Sequence, residues 1–265
     1  MQHDLYSPRV SVILPVHRVD QFFTAAVDSI LSQSYTDFEL LIIANGCSDS
    51  DFKFITQNYA DNQQVNIVCT EMKGLPFALN LGTHLAKGIY IARMDADDIS
   101  SSDRLTKQAA ELDNDPDLGI VSSCYSYIDA SGKVTGQAEF SALSHAQHLR
   151  LLPFMCCVAH PTVMIRKDIL QQLGGYSFGR YSEDYDLWLR VLRESPDTKF
   201  LRLPNKLLFY RRHGNQATSG SNMKTIRIFN ASLKIREFLF SKRISFLFGI
   251  IIPARISIRL FAQQS

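Results

Sequence analysis

Between residues 10 and 98 the chain alternates between short, almost unbroken apolar runs and longer stretches whose apolar positions fall three or four apart. Val10-Ser11-Val12-Ile13-Leu14-Pro15 has the pattern of a strand buried on both faces. Phe23, Ala26, Val27, Ile30 and Leu31 then share one face of a helix predicted over residues 20–33. A second strand is predicted at 38–44, ended by the turn pair Asn45-Gly46, followed by a helix at 49–59 and a strand at 65–69. Pro76 suits the first position of a helix running to about residue 86, and Ile89-Tyr90-Ile91-Ala92-Arg93-Met94 supplies the next strand. Such alternation predicts an α/β fold with a doubly wound, mostly parallel central sheet flanked by helices. Ligands of such sheets bind beyond the carboxyl ends of the strands, where Pro15-Val16, Asn45-Gly46 and Asp95-Ala96-Asp97-Asp98 all fall.

The acidic tetrapeptide is the densest chemical signal. Side chains two apart in extended chain point the same way, so Asp95 and Asp97 converge on one point. Two converging carboxylates at a buried strand end repel each other unless a hard divalent cation, Mg²⁺ or Mn²⁺, shares their oxygens with substrate phosphates. A solvated acidic turn ahead of a helix capped by Ser101, Ser102 or Asp103 is the alternative. A dinucleotide fold needs a glycine-rich turn after the first strand, where this chain has Pro15-Val16-His17-Arg18, and no phosphate-loop glycine–lysine motif occurs.

Composition narrows the classes further. The 265 residues are 46% hydrophobic, enough for one large core, and no internal repeat is visible. No basic segment precedes an apolar core at the N-terminus, so no signal peptide is expected. Cys47, Cys69, Cys124, Cys156 and Cys157 are odd in number and lack metal-type spacing, which suits reduced thiols in the cytoplasm, with Cys156 and Cys157 as packing residues. The net charge is only +2, yet from Met223 onward eight Lys or Arg face Glu237 alone. Residues 1–222 are therefore expected as one domain and 223–265 as a basic, amphipathic helical tail. Ile244, Phe246, Leu247, Phe248, Ile250, Ile251 and Ile252 add apolar character, but Pro253 stops the run far short of the roughly 20 residues a spanning helix needs. A helix lying on a membrane surface and a helix packed on the domain or at a dimer interface fit this tail equally well. No nucleic-acid recognition motif is present.

Beyond these readings, a set of short motifs runs in order from about residue 9 to 219. It comprises Val10–Val16, Ser29-Ile30-Leu31-x-Gln33, Lys73-Gly74-Leu75, Ala78-Leu79-Asn80, Ala92-Arg93-Met94-Asp95-Ala96-Asp97-Asp98, His160-Pro161-Thr162, Gly174-Gly175-Tyr176, Glu183-Asp184-Tyr185-Asp186-Leu187-Trp188 and Tyr210-Arg211-x-His213. Together they resemble the family 2 glycosyltransferases of the GT-A fold. The resemblance implies metal-assisted, inverting transfer of a sugar from a nucleotide-diphosphate sugar to a hydroxyl of a saccharide or lipid-linked acceptor. It implies a nucleotide-sugar half over about residues 9–100 and an acceptor half over about 101–222. Pro15 and Val16 would sit against the base, Lys73 and Asn80 near the nucleotide, and Asp95 near the ribose or metal. Asp97 would bind the metal, with His213 as a further ligand, while Arg211 and Arg212 would oppose the charge growing on the diphosphate. Asp184 would be the general base and Glu183 its neighbour in orienting the acceptor; the same acids also read as first-turn helix residues capped by Ser182.

One departure stands out. Relatives usually carry an acid after the second strand that contacts the base, where this chain has Ala44; Asn45 or Asp49 could substitute, and Asp20 stands where many relatives have Glu. Uridine is the favoured base. Family analogy and the basic apolar tail together suggest a bacterial cell-surface polysaccharide or lipopolysaccharide enzyme, cytoplasmic and peripheral on the inner face of the membrane. A non-catalytic nucleotide-sugar-binding scaffold, or a sugar nucleotidyltransferase, is the alternative; the latter normally has a glycine-rich basic loop that is absent here. In the second half, residues 129–133 read as a turn between two short strands and 141–155 as a helix.

Overall fold

The computed structural model describes residues 7–137, 141–177, 181–213 and 223–252; Pro253, Arg255 and Arg259 of the tail lie outside them. The first half builds as its periodicity predicts: β1 (Val10–Val16), α1 (Phe23–Leu31), β2 (Phe38–Asn45), α2 (Asp49–Tyr59), β3 (Val65–Thr70), α3 (Leu75–Leu85) and β4 (Tyr90–Arg93). These strands are all parallel, in the order β3-β2-β1-β4.

Burial on both faces explains the continuous apolar runs. In β1, Val10, Val12, Leu14 and Val16 pack into the core on one side of the sheet, with Phe23 of α1 and Ile55 of α2. Ile13 points to the opposite core, with Leu79 of α3. The polar interruptions pair with each other: buried Glu39 accepts from Ser11 Oγ at 2.7 Å, Lys87 N at 2.7 Å and Asn66 Nδ2 at 3.0 Å. A buried carboxylate with three donors is tolerated where an unpaired one would not be.

The second half consists of β5 (Ile99–Ser100), α4 (Arg104–Asn114), β6 (Leu118–Ile128), β7 (Val134–Gln137), α5 (His145–Leu151), β8 (Met164–Arg166), α6 (Lys167–Gln172), α7 (Glu183–Glu194), β9 (Lys199–Arg211), α8 (Met223–Ser241) and α9 (Ser245–Ile251). Here the expectation of a mostly parallel sheet needs correction. Beyond β4 the order continues β8-β6-β9-β5, with β8 antiparallel to both neighbours and only β6–β9 parallel. A three-residue strand entering from the tight turn at His160–Thr162 pairs antiparallel without a long crossover helix. The 129–133 turn forms as expected, with Asp129 Oδ1 accepting from the backbone amides of Ser131 and Lys133, but the strand before it is eleven residues long rather than short.

The tail helices pack on this framework through an inner face that is charged. Lys234 is 7% exposed and donates to the carbonyls of Phe154 at 2.6 Å and Gly249 at 2.7 Å. Burial pulls its ammonium down to about 8. Arg236 bridges Asp186 of α7 at 2.5 Å and Glu237 at 2.8 Å, and Arg193 of α7 also pairs with Glu237. Gly249 allows α9 to sit against the domain, since a Cβ there would lie 2.0 Å from the Pro153 carbonyl oxygen. No helix among the described residues is long and apolar enough to cross a membrane.

Candidate active site

The ends of β1, β4 and β9 and the start of α7 open onto one crevice of about 1310 Å³. Pro15, Val16 and Asp20 line it at the end of β1, Asp95 and Asp97 beyond β4, Glu183 and Asp184 on α7, and Arg212 and His213 after β9. Of the acids considered for the base contact, Asp20 is on the wall, while Asp49 is exposed in the first turn of α2.

The acidic motif is held by groups distant in sequence. Carboxyl oxygens of Asp95, Asp97 and Asp98, one from each, lie within 4.8 Å of one another. Arg93 pairs with Asp95 at 2.5 Å, and His213 Nε2 meets Asp97 Oδ2 at 2.9 Å. Asp98 is 1% exposed; its Oδ1 accepts from Arg211 N at 2.8 Å, and its Oδ2 is buried without a hydrogen-bond partner. Burial raises the Asp95 carboxyl, with Arg93 opposing, and raises Asp98 well above the usual range, with Asp95 and Asp97 adding repulsion. The helix that follows the acidic motif gains no cap from it: Asp103 precedes α4 without a side-chain cap bond. An all-oxygen donor set with an orphaned buried carboxyl oxygen fits a hard divalent cation.

The other acidic pair has a different setting. Asp184 Oδ1 accepts from Tyr185 N at 2.8 Å, and Cys156 Sγ approaches its Oδ2 at 3.6 Å. Burial raises the carboxyls of both Asp184 and Glu183, and for Glu183 the neighbouring Asp184 adds to the effect. Such a carboxylate is poised to take a proton at higher pH than a solvated one. Ser182 occupies the position before α7 but has φ 62° and makes no capping bond, contrary to expectation. A capping residue adopts extended backbone, and the left-handed turn removes its hydroxyl from the helix amides.

Several residues expected near the nucleotide are not on the crevice wall itself. Asn80 ties α3 to the backbone of Tyr176: it accepts from Tyr176 N at 2.7 Å and donates to Tyr176 O at 2.8 Å. Gly175, with φ 76°, makes room for it, because a Cβ would fall 2.3 Å from Asn80 Oδ1. Arg211 is likewise 3% exposed and supports the motif from behind, donating to the carbonyls of Asp97 and Asp129, each at 2.8 Å, while lying over the Phe22 ring. Asn45, within 3.5 Å of the Gly74 carbonyl, and Lys73, whose stem crowds Gly46, are neighbours outside the crevice wall. Arg212 is on the wall and lies 3.4 Å over the Tyr127 ring.

Four residues were missed in sequence. Arg93 could have been found, since it is two positions before Asp95 in a strand and so shares its face. Asp98 stands in the acidic motif but its bond to Arg211 carries no local signal, and neither do Cys156 beside Asp184 and Arg104, whose guanidinium donates to the Arg93 carbonyl at 2.6 Å.

Comparison with known proteins agrees with this geometry. A profile described as Glycosyl transferase family 2 matches residues 11–174. The chain is 39% identical over 237 residues to Escherichia coli O-antigen biosynthesis glycosyltransferase WbnJ, covering 89% of this chain and 91% of that one. It is 32% identical over 193 residues to the putative glycosyltransferase EpsE of Bacillus subtilis, covering 71% and 68%. Among solved structures, S. aureus TarS 1-349 in complex with UDP-GlcNAc matches with a TM-score of 0.67 at 15% identity, over 87% of this chain and 66% of that one. Mannosyltransferase PcManGT from Pyrobaculum calidifontis, in complex with GDP-Man and Mn²⁺, matches at 0.63 and 18% identity, over 97% and 74%. Sequence and fold agree: the chain belongs to glycosyl transferase family 2 and is a glycosyltransferase of the GT-A fold.

Proposed function

We propose that this enzyme transfers a sugar, with inversion, from a UDP-linked sugar to a hydroxyl of a saccharide or lipid-linked acceptor in bacterial cell-surface polysaccharide biosynthesis. The observation that carries the reading is the presence of two differently held acidic groups in one crevice, Asp95-Asp97-Asp98 and Glu183-Asp184. The O-antigen role named for WbnJ supports the polysaccharide setting, and the UDP-GlcNAc and GDP-Man bound by structural relatives support a nucleotide-sugar donor.

In this reading Pro15, Val16 and Asp20 bound the nucleotide, with Asn45 and Lys73 beside it. Asp95 and Asp97 hold a divalent cation, Mn²⁺ or Mg²⁺, with His213 orienting Asp97 or joining the ligands. When bound, that ion supplies Lewis-acid stabilisation of the diphosphate leaving group. Arg212 adds positive charge on the same wall. The acceptor oxygen attacks the anomeric carbon opposite the leaving group, the bond to the diphosphate breaks, and Asp184 takes the acceptor's proton. Glu183 orients the acceptor.

The tail's outer face supports peripheral attachment to the inner face of the membrane. Ile228, Leu239, Phe240, Ile244 and Ile251 are exposed there, as are Lys224, Arg227, Lys242 and Arg243, while Glu237 is buried. A basic, apolar surface of this kind suits an anionic bilayer.

The test is a donor screen with Mn²⁺, Mg²⁺ or chelator. Turnover on a UDP-sugar that chelator abolishes is expected. A protein that binds neither nucleotide nor metal would overturn the reading.

A further inference from the structure

Among the described residues, and apart from Nε of Arg93, whose guanidinium pairs with Asp95, the wall of the crevice contains two buried polar atoms that nothing in the proposed chemistry uses. Ser182 Oγ, immediately before α7, and Asn230 Oδ1, on α8, are both buried without a hydrogen-bond partner among the described residues. Both residues line the crevice that contains Asp184. Buried polar atoms without partners are uncommon in folded proteins, because the water they give up must be replaced. Two of them on the wall of one cavity, one just before α7 and one on α8, point to a ligand there.

The chemistry of that ligand follows from the groups themselves. An amide oxygen accepts from a hydroxyl, and a serine hydroxyl either donates or accepts. Neither is charged, so the pair suits neutral hydroxyls better than phosphate or carboxylate. Tyr181 and Ile226 line the same crevice, and the Tyr181 ring packs on Phe229 with centroids 6.0 Å apart. Ring and aliphatic surface beside hydroxyl-binding groups match a sugar ring, which has C–H faces and a hydroxyl edge. The position is also firmly held, since Arg236 of α8 is tied to Asp186 of α7.

We propose that Ser182 and Asn230 form a subsite for hydroxyl groups of the acceptor saccharide, which makes α8 a specificity-determining wall of the active site as well as part of the tail. The inference rests on the proposed transfer to a saccharide acceptor. Its two residues position the acceptor and do not take part in bond making.

The test uses the full chain, a UDP-sugar accepted in the donor screen, and a panel of octyl glycosides as acceptors. Ser182→Ala and Asn230→Leu are expected to raise the acceptor KM about tenfold or more, with kcat within a few-fold and nucleotide affinity unchanged by calorimetry. Asn230→Asp, which keeps an oxygen at the position, is expected to retain most of the acceptor affinity. An unchanged acceptor KM in Ser182→Ala and Asn230→Leu, accompanied by a higher Tm, would show two orphaned atoms relieved by substitution and would overturn the proposal. So would a wild-type enzyme that turns over donor but uses no glycoside of the panel. Loss of nucleotide binding in the wild type would instead count against the donor reading, so the two failures are distinguishable.

Discussion

Two acidic groups share the crevice, and their surroundings separate them. Asp95, Asp97 and Asp98 are gathered within 4.8 Å and braced by cationic or ring groups from β4 and the end of β9. Glu183 and Asp184 start a helix, and Asp184 is contacted by a backbone amide and the Cys156 thiol. Concentrated negative charge in the first group calls for a cation; burial that outweighs the opposing charge of Arg93 in the second favours proton exchange. Identical side chains thus acquire different chemistry from what is packed around them.

The largest effects should come from collapsing this difference. Asp97→Asn removes the carboxylate charge that is proposed to hold the metal and that faces His213, and should lower transfer by about a thousandfold, as chelator should in the wild type. Steady-state rates with and without chelator check this; a chelator-resistant rate would break the comparison on the metal side.

Asp184→Asn should lower kcat by about 10²–10⁴-fold with nucleotide affinity intact, measured by kinetics and calorimetry. The pH dependence sharpens this. Burial raises the Asp184 carboxyl above 3.8, and the base works only when ionised, so activity should fall as pH drops through that raised value. A raised folded-state value means that ionisation at higher pH costs stability, so Asp184→Asn should also have a higher Tm at pH 7. A lower Tm would show that the carboxylate is structural.

A smaller effect should follow from releasing the tail. Lys234→Met leaves the Phe154 and Gly249 carbonyls without their donor and should cost about 2–4 kcal/mol, lowering Tm by about 5–15 °C. The Lys234 ammonium is depressed to about 8 from 10.5, so the folded state loses its proton first on raising pH. Its contribution to wild-type stability therefore rises between those values, and the gap in Tm between wild type and Lys234→Met should widen there.

The mildest change should be on the outer face. Ile244→Glu with Ile251→Glu should weaken binding to vesicles containing anionic lipid about tenfold or more, while leaving turnover on a soluble acceptor unchanged. Equal sedimentation of variant and wild type with such vesicles would remove the membrane role from this face.

The sequence by itself determined the parallel β1–β4 half and the location of the acidic motif. Strand burial and helix amphipathicity repeat over a few residues, so Val10–Val16, Phe38–Asn45 and the face shared by Phe23, Ala26 and Ile30 are written locally. Convergence of Asp95 and Asp97 is also local, a consequence of the two-residue period of extended chain. Only the tertiary structure decided that β8 enters antiparallel and that Asn80 and Arg211 bond backbone. It also decided that His213 reaches Asp97, that Cys156 reaches Asp184, and that α8 turns buried charges inward. These contacts join residues far apart in the chain, and no periodicity within a segment encodes which distant partner a polar group will meet.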